Sequence, residues 1–457
     1  MSLSSSMKKF GAIKAYEYLD KDPDKNIPKL LNWAEKIVPK GDFSNQIAAF
    51  HRVIDQPDNN WYQLIRSLWT DIDDEVRKTL FQNFILNANF DWAAKRRAAM
   101  EQYGCNIPWA ILLDPTSACN LHCTGCWAAE YGNRLNLSFD EMDAIIEQGK
   151  ELGICMYIYT GGEPLMRKKD LIALCNKHND CIFLSFTNAT LIDEEFAEEL
   201  LRVRNFIPAI SIEGFEAVTD NRRGNGTYQK VIRAMEILKE KKLPFGVSCC
   251  YTSRNFDSIS SEDFFDQLID WGAKFAWFFH YMPVGNDAVM ELLPTPHQRE
   301  MMYQRIRAYR KTKPIFTLDF QNDGEYVGGC IAGGKNYLHI NPNGDIEPCV
   351  FIHYSDSNIR EKTLLEALRS PLFMAYHDGQ PFNDNPLRPC PMLENPDKLQ
   401  EMVRKSGAHT TDLQSPEPVE HLCEKCKAYA ADWAPTADRL WKAPRSPERC
   451  QDCKEVS

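Results

Sequence analysis

Apolar residues recur along the middle of the chain as short runs separated by longer amphipathic stretches. The runs at 107–113, 155–159, 181–186, 206–212, 245–251 and 274–279 have strand length and are rich in β-branched and aromatic residues. Between them, residues 139–152, 193–203, 227–241 and 261–271 place apolar side chains at helical spacing. Strands alternating with helices predict βα units around a parallel sheet. A Rossmann-type domain is the competing arrangement, but it needs a G-x-G-x-x-G turn after the first strand, and that turn here holds cysteines. The first hundred residues read as helices at 12–19, 27–37, 43–54, 61–68 and 74–86, with turns at 21–26 and 55–60. Trp33, Trp61 and Trp69 are most simply core there, with a substrate-holding surface as the sharper alternative. Lys8, Lys9 and Lys14 near Phe10 read as a solvated helix face rather than a membrane-touching start.

The run Cys119-Asn120-Leu121-His122-Cys123-Thr124-Gly125-Cys126 is C-x3-C-x2-C, with no fourth cysteine in the same loop. Three thiolates can hold three corners of a four-iron cluster and leave the fourth iron open to a chelating ligand. The other reading is a zinc knuckle completed by His122 or a distant residue. Thr160-Gly161-Gly162-Glu163-Pro164 follows the second apolar run. A glycine pair at a strand end lets the backbone come close to a ligand, and Glu163 adds a carboxylate able to accept hydrogen bonds from an amine.

Together these motifs resemble the radical S-adenosylmethionine (SAM) superfamily, over roughly residues 105–320. Ser185-Phe186-Thr187-Asn188 and Ile210-Ser211-Ile212-Glu213-Gly214 are similar to the strand ends that touch the ribose and carboxylate of SAM in that family. Asp220-Asn221-Arg222-Arg223-Gly224 resembles the D-x-x-R-G segment that often follows. The resemblance implies a partial (β/α)6 TIM-type barrel with its chemistry at the C-terminal ends of the strands. It implies a [4Fe-4S] cluster on Cys119, Cys123 and Cys126. It implies SAM contacts from Gly161, Gly162, Glu163, Pro164, Asn188, Ser211, Glu213 and Arg223, and an electron donor such as flavodoxin or ferredoxin. In one departure, many members carry an aromatic residue just before the third cysteine; here that position is Gly125, and Trp127 follows instead. Glu213, His280, Tyr281 and Asp323 are candidates to face the substrate as base or donor.

Seven cysteines lie beyond the expected barrel: Cys330, Cys349, Cys390, Cys423, Cys426, Cys450 and Cys453. Asn341-Pro342-Asn343-Gly344 reads as a hairpin turn that brings Cys330 and Cys349 together. That spacing resembles the opening of the SPASM or twitch extension, which implies at least one auxiliary [4Fe-4S] cluster. The favoured ligands are Cys330, Cys349, Cys390 and one or both of Cys423 and Cys426. Cys450 and Cys453 would join a second metal or lie in a frayed tail. The later cysteines depart from the usual SPASM spacing, and a C-x2-C pair suits a zinc or single-iron tetrathiolate site equally well. Cys105, Cys155, Cys175, Cys181, Cys249 and Cys250 are expected as buried small hydrophobes, with a hydrogen-donor role in the barrel as the alternative.

The expected organisation is therefore a helical N-terminal domain at 1–104, a core barrel at 105–320 and a Cys-rich α+β extension at 321–457. The 457 residues are 44% hydrophobic and carry a net charge of -11, which argues against a nucleic-acid partner. No signal peptide opens the chain and no apolar stretch is long enough to span a membrane, so a cytoplasmic enzyme is expected. The reading favours an oxidoreductase acting on a peptide or protein. The same chemistry on a lipid or small metabolite, and a non-catalytic metal-binding scaffold, remain as alternatives.

Overall fold

The computed structural model describes residues 5–29, 53–54, 56 and 58–443. Cys450 and Cys453, and most of the expected helices at 27–37 and 43–54, lie outside the described residues. The six expected strands form in chain order: β1 (Ala110–Leu113), β2 (Met156–Tyr159), β3 (Ile182–Thr187), β4 (Phe206–Ser211), β5 (Gly246–Tyr251) and β6 (Phe275–His280). Each pairs in parallel with the next. The sheet does not stop there. Strand β7 (Phe316–Asp319) adds in parallel to β6, and the chain then crosses to the far edge. There β8 (Tyr337–Ile340) runs parallel to β1, and β9 (Ile346–Glu347) returns antiparallel through the expected turn. The expected division near residue 320 therefore falls between two strands of one nine-stranded sheet.

Alternation sorts the strand residues into two layers. Ile111, Leu113, Tyr157, Phe183, Ile210 and Phe278 face outward and pack with helical residues such as Ile145, Leu200, Val231 and Phe264. Ala110, Leu112, Met156, Ile158, Leu184 and Ala209 face the interior with residues of the C-terminal region. Helix Phe139–Leu152 starts on a Ser138–Glu141 capping box and ends at Gly153 in the left-handed region, which only glycine adopts without strain. The N-terminal helices Ser5–Lys21, Asn60–Thr70 and Asp74–Leu80 match the expected helical character. The pattern at 74–86 does not continue as one α-helix: Phe81–Trp92 is π-helical. Among the described residues, no helix is long and apolar enough to cross a membrane.

Two buried polar assemblies lock the added strands and the C-terminal region to the barrel. In the first, His339 on β8 lies between two carboxylates. Its Nδ1 is 2.6 Å from Glu347 and its Nε2 is 3.0 Å from Asp114 at the end of β1, and all three side chains are fully buried. The Asp114 contact is a charge contact rather than an aligned hydrogen bond, since both Asp114 oxygens lack a hydrogen-bond donor. Tyr131 donates its hydroxyl to Glu347 at 2.8 Å. In the second, Arg299 donates to Glu394 at 2.7 Å and to Asn322 at 2.9 Å, and its guanidinium lies 4.1 Å from the Trp433 ring centroid. Glu394 also accepts the backbone N–H of Cys390 at 2.7 Å.

Both assemblies yield predictions. Glu394→Gln leaves a buried guanidinium without its counter-charge, so denaturant unfolding should show a loss of about 3–5 kcal/mol; the double replacement Arg299→Met/Glu394→Leu should cost less. Burial opposes the His339 imidazolium, but Asp114 and Glu347 outweigh it and hold its pKa up at about 10. A raised folded pKa stabilises fully below the unfolded value and loses that contribution as pH climbs through the folded one. Unfolding free energy should therefore fall between pH 6.5 and about 10, and His339→Gln should show a shallower slope over the same window.

Candidate active site

The C-terminal ends of β1 and β2 meet in a loop-on-loop contact. Gly162 donates its N–H to Thr116 at 3.0 Å, and Glu163 donates to Ala118 at 2.8 Å, just before Cys119. A Cβ on Gly162 would stand 2.3 Å from the Ala118 carbonyl oxygen. At Gly161, with φ at +105°, it would stand 2.8 Å from the Thr116 oxygen. On the Cβ side these glycines let the chain's own cysteine loop come close, and both also line the cavity described next.

Cys119, Cys123 and Cys126 line one cavity of about 840 Å³ inside the sheet. Gly161, Gly162, Glu163, Asn188, Ser211 and Arg223 line the same cavity, whereas Pro164 and Glu213 do not. Pro164 begins a short 3-10 turn instead. Glu163 is almost fully buried, and three donors hold its carboxylate: the Thr187 hydroxyl at 2.6 Å, the Asn188 N–H at 2.7 Å and the Leu165 N–H at 3.0 Å. Burial raises its pKa against those bonds. Glu213 receives Arg222 at 2.6 Å and Arg223 at 2.5 Å, so it orients the two guanidiniums rather than facing the cavity. Arg223 then reaches to 4.0 Å from the Cys123 sulfur, and Arg222 straps its helix to the cysteine loop through the Thr124 carbonyl. Asn188 donates to Asn120 at 2.9 Å and lies 3.9 Å from the Cys119 sulfur.

The donor set can be tested against the two metals that the sequence leaves open. Among the described residues, only Asp143, Glu147 and His178 bring three ligand atoms within 4.8 Å of one another. A zinc ion binding thiolates at about 2.3 Å gathers sulfurs to within roughly 4 Å. The three loop thiols are spread wider than that, and His122 is exposed and outside the cavity. A cluster in which each thiolate takes its own iron does not require that closeness. Burial pushes the Cys119 thiol up to about 11 and also raises Cys126, so metal binding there would displace protons.

Several candidates sit elsewhere. His280 is buried, with Nδ1 2.9 Å from the Tyr281 carbonyl, and burial depresses its pKa. Asp323 is clasped by Arg310 at 2.9 Å, and its other oxygen accepts the Asp319 N–H. None of Glu213, His280, Tyr281 and Asp323 lines the cavity. Tyr281 answers the missing aromatic residue: its ring atom Cε2 lies 2.6 Å from where a Gly125 Cβ would be, so a side chain there would collide with it. Trp127 lines the cavity and packs edge-on against Tyr131, His339 and Phe351. Arg222, Ser248 and Cys250 line the cavity without having been singled out for it. The available signal was alternation: Ser248 and Cys250 share the inward face of β5, whereas Cys249 is buried outward.

In the C-terminal region, Cys330, Cys349 and Cys390 gather around Tyr337, whose hydroxyl is 2.8 Å from the Cys349 sulfur. Burial holds the Cys330 thiol up at about 11 and Cys349 at about 12. Cys423 and Cys426 lie one turn apart on helix Val419–Lys442, and the Cys423 thiol donates to the Pro396 carbonyl at 3.1 Å. No three of these five sulfurs meet at single-ion spacing.

Residues 113–260 match the radical SAM superfamily, and residues 330–392 match the SPASM iron–sulfur cluster-binding domain. An AdoMet-dependent heme synthase of Methanosarcina barkeri is 27% identical over 291 residues, covering 57% of this chain and 82% of that protein. A PqqA peptide cyclase of Granulibacter bethesdensis is 23% identical, covering 72% and 92%. Among solved structures, Streptococcus suis SuiB bound to precursor peptide SuiA superimposes with a TM-score of 0.52 at 20% identity, covering 64% of this chain and 72% of that one; this likeness is one of fold. The chain carries a radical SAM domain at residues 113–260, followed by an iron–sulfur cluster-binding SPASM domain at residues 330–392.

Proposed function

We propose that the chain is an oxidoreductase in which Cys119, Cys123 and Cys126 hold a SAM-binding [4Fe-4S] cluster. The observation that carries this reading is the convergence of those three thiols, Glu163 and Arg223 on one cavity. When bound, the cluster and SAM supply one-electron cleavage of the sulfonium and removal of a hydrogen atom from substrate. The chain supplies position and charge. Glu163, fixed by three donors, would offer its carboxylate to the SAM amino group, and Arg223 would set positive charge beside the Cys123 thiolate and the SAM carboxylate. Asn188 and Ser211 offer hydrogen bonds along the same rim. The apolar wall below excludes water from the reacting atoms.

Cys330, Cys349 and Cys390, with one or both of Cys423 and Cys426, would hold an auxiliary cluster, which would supply an acceptor for an electron from the substrate side. The electron for SAM cleavage comes from a flavodoxin or ferredoxin in the cytoplasm. A peptide or protein substrate is favoured by the peptide named for the PqqA relative and by the peptide seated on SuiB. The heme synthase relatives and the cavity lining favour an apolar substrate.

The test is anaerobic reconstitution with iron and sulfide, followed by reduction with SAM present. Wild type should form 5′-deoxyadenosine. Cys119→Ala/Cys123→Ala/Cys126→Ala should lose that product to background yet keep the EPR signal of a C-terminal cluster. Undiminished SAM cleavage by the triple variant would refute the assignment.

A further inference from the structure

The cavity does not end beneath the cysteines. The same continuous space is lined at its upper rim by Cys119, Glu163, Ser211 and Ser248, and at its lower rim by Ile207, Phe275 and Phe316, which lie near the opposite ends of their strands. It therefore runs through the barrel along the axis. Barrels of this type usually fill that axis with side chains. Here the lining residues of β4 and β5 are Ile207, Ser211, Ser248 and Cys250, two of them serines, while the Phe275 ring fills the room beside Gly246. Between the rims the wall is Leu112, Ile158, Leu184, Phe186, Trp277 and Leu318, and among the described residues no charged side chain or side-chain amide stands there.

At the lower rim the N-terminal helices complete the wall with Leu68, Trp69, Phe81, Phe84 and Ile85. The last three come from the π-helical segment. Phe84, Ile85 and Phe316 are also among the largest exposed apolar side chains of the protein. The cations at this rim are already matched, Lys274 by Asp71 and Arg77 by Asp20 and Asp74.

We propose that this channel holds the hydrocarbon chain of a lipid, with the carbon to be attacked at the upper rim and the rest of the chain running down between Trp277 and Leu318 toward Phe84 and Ile85. The inference rests on the radical SAM reading for the chemistry at its upper end. An extended peptide brings a donor and an acceptor with every residue. Every interior strand of this sheet already spends its backbone on its neighbours, so a peptide threaded here would leave those groups unpaired. A hydrocarbon brings none. Six strand residues at about 3.3 Å, tilted roughly 40° to the axis, give a depth of about 15 Å. At roughly 1.2 Å per bond of an extended chain, that depth takes on the order of a dozen carbons.

The experiment is displacement of cis-parinaric acid from the reconstituted full-length protein by saturated fatty acids, from octanoate to stearate. Each methylene buried should tighten binding about fourfold, until the chain reaches the channel depth and the gain levels off. Ile207→Trp, near the lower rim, should move the levelling point to shorter chains by several methylenes, and Leu184→Trp, higher up, by more. A shift in levelling point that follows position along the channel is not what misfolding produces. The proposal is overturned if fatty acids fail to displace the probe, if both variants keep the wild-type levelling point, or if an apolar peptide or a haem-type macrocycle binds more tightly than palmitate and loses that advantage in both variants. SAM cleavage is assayed on the same wild-type preparation. Cleavage without fatty-acid binding removes the lipid and leaves the chemistry; fatty-acid binding without cleavage does the reverse.

Discussion

A parallel sheet must bury both of its faces, and in this chain the two faces are served very differently. The outward face meets helices through large side chains and closes tightly. The inward face curves around itself, with small residues on β4 and β5 and rings on β6 and β7, and a continuous space remains along the axis. Everything that bears on function follows from that asymmetry. The strand ends carry the polar rim, the strand middles carry the apolar wall, and the C-terminal region and N-terminal helices complete the enclosure.

The upper rim is assembled by backbone as much as by side chains. Gly161 and Gly162 have no Cβ because the cysteine loop occupies that volume, and Gly125 has none because the Tyr281 ring does. The Glu213–Arg222–Arg223 group then ties the helix after β4 to the same loop. The loop that would bear the cluster is therefore gripped from β2, β4 and β6 at once, which is the kind of support that holds a reactive geometry to within a fraction of an ångström.

Much of this was legible in the sequence. The six central strands and the helices at 139–152, 193–203, 227–241 and 261–271 follow from periodicity, because a parallel sheet covered by helices writes a strong pattern. What periodicity did not show is long-range partnership. Residues 316–319 were not read as a strand, and although 337–340 were read beside a hairpin turn, nothing local says that β8 pairs with β1. The π-helix reads as an α-helix because its apolar spacing is nearly the same. Glu213 and His280 stand apart from the cavity for a related reason: a polar residue at a strand end points to a site only if it faces inward, and Glu213 instead meets two arginines nine and ten residues on. Cys250 was expected as core with a place in the barrel as its alternative, and its register on β5 turns it into the cavity.

The account depends on one metal corner left open above the three loop thiols. Electron–nuclear double resonance on the reduced, reconstituted protein, with SAM isotopically labelled at its amino nitrogen, tests that directly. Hyperfine coupling between the label and the cluster, absent when the three cysteines are replaced, is the result the geometry predicts. A paramagnetic cluster that shows no coupling to bound SAM, or a loop that binds zinc alone, would contradict it.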